Sequence, residues 1–257
     1  METTKKVKKH HFFGKTFSLI TCLIAFGLMI TMADLFSSLI TVGGFSFTSE
    51  NISLGEYNVY AVCTSSHQTK VLAIEFSETI RNQGGAGYLY MNKDSYYIVA
   101  SIYETEADAK KVLEKLVESK PDAQIEKIVI QPITISSNLS SQEKSTVSAS
   151  INLFKNIYKK LYDISVSLDT AVVSEVNARL SINEVLSSAQ TILSNFNTLF
   201  SNNITINLLK LKLSIEDTVK DLNSLVNSSS VFPFTSLVKE CYCKVIMNYK
   251  NLADQMN

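Results

Sequence analysis

The sequence has 257 residues, in which 24 Lys+Arg balance 24 Asp+Glu, and it contains three histidines, four cysteines and no tryptophan. An apolar fraction of 46% is too high for a disordered chain, and a net charge of zero argues against a nucleic-acid-binding protein. So few histidines and cysteines leave little material for a metal site or an activated nucleophile. We therefore expect a protein that is not an enzyme and that needs no cofactor or metal.

Residues 1–42 have the pattern of a membrane anchor. Five lysines occur within residues 1–15, and residues 16–33 contain no charged side chain. About 20 apolar residues suffice to cross a bilayer as a helix, and a basic cluster before such a segment marks its cytoplasmic side. The sequence predicts a cytoplasmic tail over 1–15, an uncleaved transmembrane helix over 16–42 and a linker over 43–56. A cleaved signal peptide and a buried core helix are the alternatives.

Residues 57–131 alternate between strand and helix patterns. The predicted segments, in chain order, are strand 57–65, helix 70–82, strands 88–91 and 96–102, helix 105–117 and strand 124–130. The residues of the first helix that are expected to face inward are Val71, Ile74, Phe76 and Ile80. The resulting β-α-β-β-α-β order is that of a ferredoxin-like split βαβ domain, in the α+β class.

This stretch resembles a SPOR (sporulation-related repeat) domain. The resemblance is clearest where the strand over 96–102 leads into the acidic, alanine-containing helix TEADAKKVLEKL at 105–116. The sequence departs from the family at Thr64-Ser65-Ser66, where Gly-Ser-Phe is usual, and at Ser101-Ile102, where Gly-Pro is usual. Membership implies that the sheet face opposite the helices binds the glycan strands of peptidoglycan.

The resemblance places the glycan-binding surface on alternate residues of the first and third strands. Its members would be Tyr60, Val62, Thr64, Tyr97, Val99 and Ser101, with His67 and Gln68 as weaker candidates at the rim. Two helices can cover only one face of a sheet, so the other face must meet water or a ligand. A tyrosine ring offers a sugar a flat apolar surface and a hydroxyl. The alternative is that these tyrosines only suit a half-exposed strand.

Residues 138–257 contain no glycine, are rich in serine and asparagine, and have apolar residues at helical spacing. Four helices are expected. The first begins at the capping box Ser140-x-x-Glu143 and the second at the capping box Ser181-x-x-Glu184. The third spans residues 208–226, and the fourth spans residues 236–253 after Pro233. Four amphipathic segments with short connections predict an antiparallel helical bundle. A sustained coiled coil and hairpins that pack on a partner are the alternatives.

These patterns together predict a single-pass cell-membrane protein with its bulk outside the cytoplasm. Its SPOR-like domain would bind peptidoglycan in cell division or sporulation, and its helices would bind a protein partner; no nucleic acid is expected. The alternative is an interaction scaffold that does not bind glycan and works through its C-terminal helices. A wall hydrolase is not expected, because His67 is the only histidine beyond the anchor. Residues 50–132 are expected to fold alone.

Overall fold

A computed structural model describes residues 51–92, 94–136, 139–201 and 204–257. The predicted basic tail, the predicted transmembrane helix and most of the predicted linker lie outside the described residues. Among the helices that are described, none is long and apolar enough to cross a bilayer. The described residues all belong to one compact unit.

The N-terminal part of this unit is built around an antiparallel four-stranded sheet. Its elements are β1 (Asn51–Leu54), β2 (Tyr57–His67), α1 (Lys70–Asn82), β3 (Tyr88–Asn92), β4 (Ser95–Tyr103), α2 (Glu106–Leu116), β5 (Gln124–Ile130) and β6 (Ile133–Ser136). The strand order in the main sheet is β3-β4-β2-β5. The predicted β-α-β-β-α-β order is therefore confirmed, with the first and third strands of the motif, β2 and β4, adjacent.

Helix α1 packs on the sheet through a stripe dominated by small residues. Its buried side chains are Ala73, Ser77 and Ile80. The prediction that Val71, Ile74 and Phe76 also face inward is wrong, because all three are exposed, Val71 to 78%. Close approach of a helix to a sheet favours small side chains at the contact, and the larger apolar residues are then turned toward solvent.

Helix α2 begins as the sequence indicates. Thr105 Oγ1 accepts a hydrogen bond from Asp108 N at 3.1 Å, and Ala109 is fully buried. Between α1 and β3 the chain turns at Gly87, whose φ of +56° favours glycine. A Cβ at this position would also collide with the Ser77 carbonyl of α1. Glycine at 87 therefore permits the tight passage from α1 into β3.

The end of the predicted linker pairs with the segment that follows residue 131. Strands β1 and β6 form a separate two-stranded antiparallel sheet, in which Ile52 lies opposite Ile135. Ile133 and Ile135 are buried in the same core as the C-terminal helices. The end of the predicted linker and the segment after residue 131 thus belong to the folded unit.

The C-terminal part is a four-helix bundle, as predicted. Its helices are α3 (Ser141–Asp169), α4 (Glu175–Leu199), α5 (Ile206–Val226) and α6 (Phe234–Met256), of which each contacts the next and α3 also contacts α6. The capping box at Ser140 is confirmed, because Ser140 N donates to Glu143 Oε2 at 2.7 Å and Glu143 N donates to Ser140 Oγ at 3.3 Å. The second predicted box is wrong: Ser181 lies inside α4, which begins after Ser174.

The sheet and the bundle share one hydrophobic core. It joins Val59, Ala61 and Cys63 of β2 to residues of all four bundle helices. A smaller set of buried apolar side chains lies outside this core, between the sheet and helices α1 and α2: Val62, Ala73, Ile80, Ile98 and Ala109. The predicted boundary between residues 57–131 and 138–257 therefore separates two kinds of secondary structure and not two separately packed bodies.

Candidate functional site

The six residues predicted to bind glycan do not form an open surface. The exposed fraction is 0% for Val62 and Val99, 4% for Thr64 and 7% for Ser101, while Tyr60 and Tyr97 are partly exposed. A ligand at the surface of the sheet cannot reach Val62, Val99 or Ser101, and Thr64 is accessible only from a small cavity at the end of its strand. Tyr60, Val62, Thr64, Tyr97, Val99 and Ser101 therefore do not line an uncovered sheet face, and their part in glycan binding stays a prediction.

The two tyrosines of the predicted glycan-binding surface are also far apart. Tyr60 pairs with Tyr103, whereas Tyr97 pairs with Ser66, six positions further along the strands. Six residues of strand span about 20 Å. Register shifts between Val62 and Cys63, and between Cys63 and Ser65, also interrupt the strict alternation on which the prediction depended.

Helix α6 covers the sheet face that was expected to be free. It contacts strands β3, β4 and β5, and its Tyr242 is fully buried. Tyr242 Oη lies 2.6 Å from Ser101 Oγ, in a buried hydrogen bond between two hydroxyls. The face that the resemblance assigns to a ligand is thus part of the protein's own core.

Helix α3 closes the margin of the same face. Strand β3 pairs with β4 only from Ser95 to Val99, so residues 100–103 of β4 extend beyond that ladder. Tyr158 Oη donates to the Ile102 carbonyl at 3.1 Å. Tyr162 packs edge-on against Tyr103, with ring centroids 5.9 Å apart. Tyrosines of α3 therefore protect a stretch of β4 that would otherwise be a free edge.

The tyrosine hydroxyls at this junction remain protonated. Tyr57 Oη donates to Glu104 Oε1 at 2.9 Å, and burial raises the pKa of Tyr57. Burial also raises the pKa of Tyr88 to about 12 and the pKa of Tyr162 to about 12. Neutral hydroxyls suit a structural contact between sheet and helices, and they do not act as general bases near neutral pH.

The described cysteines are buried in apolar surroundings. Cys63, Cys241 and Cys243 are free thiols, and burial raises the pKa of each. A raised pKa removes the thiolate that a nucleophile or a metal ligand requires. In the part of the chain that the structure describes, no group of three or more His, Cys, Asp or Glu side chains is placed to hold a metal ion.

A cavity lies at the C-terminal end of β2, and we call it the β2-end cavity. It has a volume of about 230 Å³ and is lined by Thr64, Ser65, His67, Phe76, Thr79, Ile80, Ser119, Lys120, Pro121 and Asp122. Its walls come from β2, from α1 and from the loop that follows α2. Hydroxyl groups, a cation and a carboxylate therefore meet an apolar wall in one small space.

His67 is the best-positioned polar group of the β2-end cavity. Its ring stacks on Phe76, with centroids 4.6 Å apart and an interplanar angle of 18°. Its Nε2 lies 3.2 Å from Ser65 Oγ. Ser65 follows the register shift in β2, and both side chains line the cavity together with α1. This arrangement can accept and donate hydrogen bonds beside a flat aromatic surface.

Sequence reasoning found only part of this cavity. Thr64 was one of the six predicted glycan-binding residues and His67 was a weaker candidate at the rim, and both line the cavity, whereas Gln68 does not. Phe76 was assigned to the core, and Lys120 belongs to a loop that is distant in sequence. The register shift that brings Ser65 and His67 to this side of β2 has no signature in the residue pattern.

Comparison with known proteins found no relative: no protein-family model, no curated protein and no solved structure matches this chain.

Proposed function

We propose that this protein is a membrane-anchored interaction scaffold that works through its C-terminal helices and does not bind glycan on its sheet. The supporting observation is the position of α6. A sheet that bound glycan would need a free face, whereas Tyr242 and Tyr158 hold α6 and α3 against β4 through hydrogen bonds of 2.6 and 3.1 Å. Removing these helices would expose core residues such as Val99 and Cys63.

Polar contacts between α1 and α6 favour a permanent attachment of the bundle. Arg81 forms an ion pair with Glu240 at 3.2 Å, and Ser236 Oγ donates to the Arg81 carbonyl at 2.6 Å. Lys239 Nζ donates to the Gly84 carbonyl at 2.9 Å. These contacts tie the first helix of the sheet motif to the last helix of the bundle. Release of the bundle to free the sheet would break them together with the shared apolar core.

The proposed setting is the outer side of a bacterial cell membrane, in cell division or sporulation. This setting derives from the lysine-rich tail, from the apolar segment over residues 16–42 and from the SPOR resemblance of residues 57–131. An anchor of this kind would hold the sheet and the helices beside the membrane. The outer faces of the bundle would then be available to a protein partner.

A reporter fused after Asn257 should be active only outside the cytoplasm, because the lysine cluster holds the start of the chain inside. The measurement compares an alkaline phosphatase fusion, which is active outside, with a β-galactosidase fusion, which is active inside. Deleting residues 16–33 should reverse the result. If, with residues 16–33 present, only the β-galactosidase fusion were active, the anchored topology and the proposed setting would both be refuted.

Glycan binding at the β2-end cavity is a second candidate function, favoured by the stacked His67–Phe76 pair. An aromatic wall beside hydroxyl and charged side chains can orient a sugar ring. The volume of about 230 Å³ is below the range of about 300–1,000 Å³ that is common for ligand pockets. The cavity would therefore take one sugar unit at most.

Detergent-solubilised protein should stay in the supernatant when it is mixed with purified sacculi, with or without prior removal of stem peptides by an amidase. This result is expected because the sheet face is filled by α6. Phe76→Ala and Tyr60→Ala form a matched pair, since both remove an aromatic ring that reaches the surface but only Phe76 lines the cavity. The opposite result would be that the unmodified protein pellets with the sacculi. If Phe76→Ala then weakened this binding about tenfold and Tyr60→Ala did not, glycan binding at the cavity would be established.

A further inference from the structure

The β2-end cavity has two opposite charges in its lining, Lys120 and Asp122. Among the described residues, neither side chain forms an ion pair, whereas Lys110 and Lys111 of the preceding helix each have an acidic partner. Lys120 and Asp122 are also not paired with each other. A small ligand that carries both a carboxylate and an ammonium group can therefore meet an opposite charge at each of its ends.

A hydrogen-bonded turn fixes the backbone of both charged residues beside the cavity. After α2 the chain forms a β-turn over residues 120–123, in which Ala123 N donates to the Lys120 carbonyl at 3.0 Å. Pro121 takes the second position of this turn, where the fixed φ of proline is favoured. Lys120 N donates to the Leu116 carbonyl at 2.7 Å, so the turn is also tied to the end of α2. The two charges thus start from a defined backbone, one residue apart.

Neutral polar groups of the lining supply the further hydrogen bonds that a charged ligand needs. Thr64 is the most buried of them, with an exposed fraction of 4%. Its Oγ1 donates to the Ile98 carbonyl at 3.3 Å, which leaves the oxygen able to accept a hydrogen bond. Ser65 Oγ and His67 Nε2 lie 3.2 Å apart, and Thr79 adds a hydroxyl from α1. An ammonium group has three donors and a carboxylate about four acceptor positions, so these groups complement the two charges.

The apolar part of the lining limits the ligand to a small apolar side chain. It consists of Phe76, Ile80 and Pro121. The ring of Phe76 is already stacked on His67, and Ile80 is buried, so this wall is held in place by the protein itself. The volume of about 230 Å³ is below the range for drug-sized ligands. The space therefore suits a compact molecule with an apolar group.

We propose that the β2-end cavity binds a free amino acid with a small apolar side chain. Lys120 pairs with the carboxylate, Asp122 pairs with the α-ammonium group, and Phe76 and Ile80 contact the side chain. A neutral sugar or a residue within a peptide chain carries neither charge and would leave both counter-charges unused. Hydrogen bonds between charged groups are roughly twice as strong as neutral ones, so this complementarity selects the free amino acid. The site goes beyond the scaffold function and does not depend on the predicted anchor.

Thermal unfolding of the detergent-solubilised full chain tests for the ligand. Alanine, valine and leucine are the probes, because each carries both charges and their apolar side chains increase in size. A ligand that binds only the folded protein raises the midpoint of unfolding. At least one of the three amino acids should therefore raise the midpoint at millimolar concentration. No change with any of them would overturn the proposal.

Derivatives of the tightest-binding probe assign each charge to its partner. Lys120→Gln should weaken binding of the amino acid at least about tenfold, because a charge-assisted hydrogen bond is lost. The same variant should not change binding of the amino acid amide, which has no carboxylate. Asp122→Asn should weaken binding of the amino acid to a similar extent, but not that of the N-acetyl derivative, which has no ammonium group. Ligand-observed NMR titration measures each affinity.

Lys115→Gln and Glu118→Gln are the matched controls. Both residues are exposed near the end of α2 and lie outside the cavity lining, and their substitution changes the net charge by the same amounts. Neither should change the affinity for the amino acid. Equal weakening by Lys115→Gln and Lys120→Gln, or an equal effect of Lys120→Gln on the amino acid and its amide, would overturn the proposal. So would an N-acetyl derivative that binds as tightly as the amino acid, since it resembles the C-terminus of a peptide. The reporter fusions test the anchored topology independently of all these outcomes.

Discussion

Residues 50–132, expressed without the C-terminal helices, should not fold. The bundle supplies the cover for one whole face of the sheet, whose side chains in the shared core include Val59, Ala61, Cys63, Val99, Ile128 and Ile130. Each of the four valine and isoleucine side chains among them contributes about 1.5–3 kcal/mol when it is buried, so the fragment would lose on the order of 10 kcal/mol. This loss matches the whole stability of a typical domain, about 5–15 kcal/mol. We expect no cooperative thermal transition and poor dispersion of amide resonances.

The chain from residue 49 onward is the control for this experiment. It contains both the sheet and the bundle, so it should unfold in one transition that is the same by far-UV and near-UV circular dichroism. A cooperative transition of the fragment 50–132 would contradict the shared core. It would also restore the expectation, drawn from the sequence, that the sheet motif is an independent domain.

The order of elements was predictable because it depends on local signals. The alternation of strand and helix patterns, the capping box at Ser140 and the break at Pro233 all act within a few residues, and the structure contains each of them. The start of α4 was mispredicted because it, too, was inferred from a local signal. Ser181-x-x-Glu184 has the residues of a capping box, but Ser174 begins the helix earlier and leaves Ser181 in its interior.

The covering of the sheet was not predicted, although α6 carries a signal for it. Residues Cys241, Tyr242 and Cys243 are consecutive and all buried, and so are Val245, Ile246 and Met247. A helix that is buried on nearly every side is packed against more than one layer. An ordinary amphipathic helix with one buried face was expected over residues 236–253. The second buried face of α6 packs against the sheet.

The open sheet face was mispredicted for two physical reasons. The first is the assumption that two helices leave one sheet face open, which fails because α6 is a third helix on the sheet. The second is the pair of register shifts around Cys63, since one extra residue in a strand reverses which side chains share a face. A residue pattern does not reveal a bulge when both faces of the strand are buried, as they are from Ala61 to Thr64.

Tyr242→Ala should lower the free energy of unfolding by about 3–5 kcal/mol, the range for truncation of a fully buried aromatic residue. Tyr242 touches both Tyr158 and Tyr162, with ring centroids 5.6 and 6.2 Å away, so its loss leaves a cavity at the centre of the junction. Tyr242→Phe keeps the ring but removes the partner of Ser101 Oγ, and it should cost about 1–2 kcal/mol. Urea denaturation of the chain from residue 49 onward measures both values.

Tyr60→Ala is the matched control for Tyr242→Ala, because Tyr60 is a partly exposed tyrosine of the same sheet motif. Its loss should cost below about 1 kcal/mol. A double-mutant cycle of Tyr242→Phe with Ser101→Ala should give a coupling energy of about 1 kcal/mol, since each substitution removes the same hydrogen bond. If Tyr242→Ala were no more destabilising than Tyr60→Ala, α6 would not be packed against β4. The sheet face beneath it would then be free to bind a ligand, and the glycan-binding hypothesis would regain its surface.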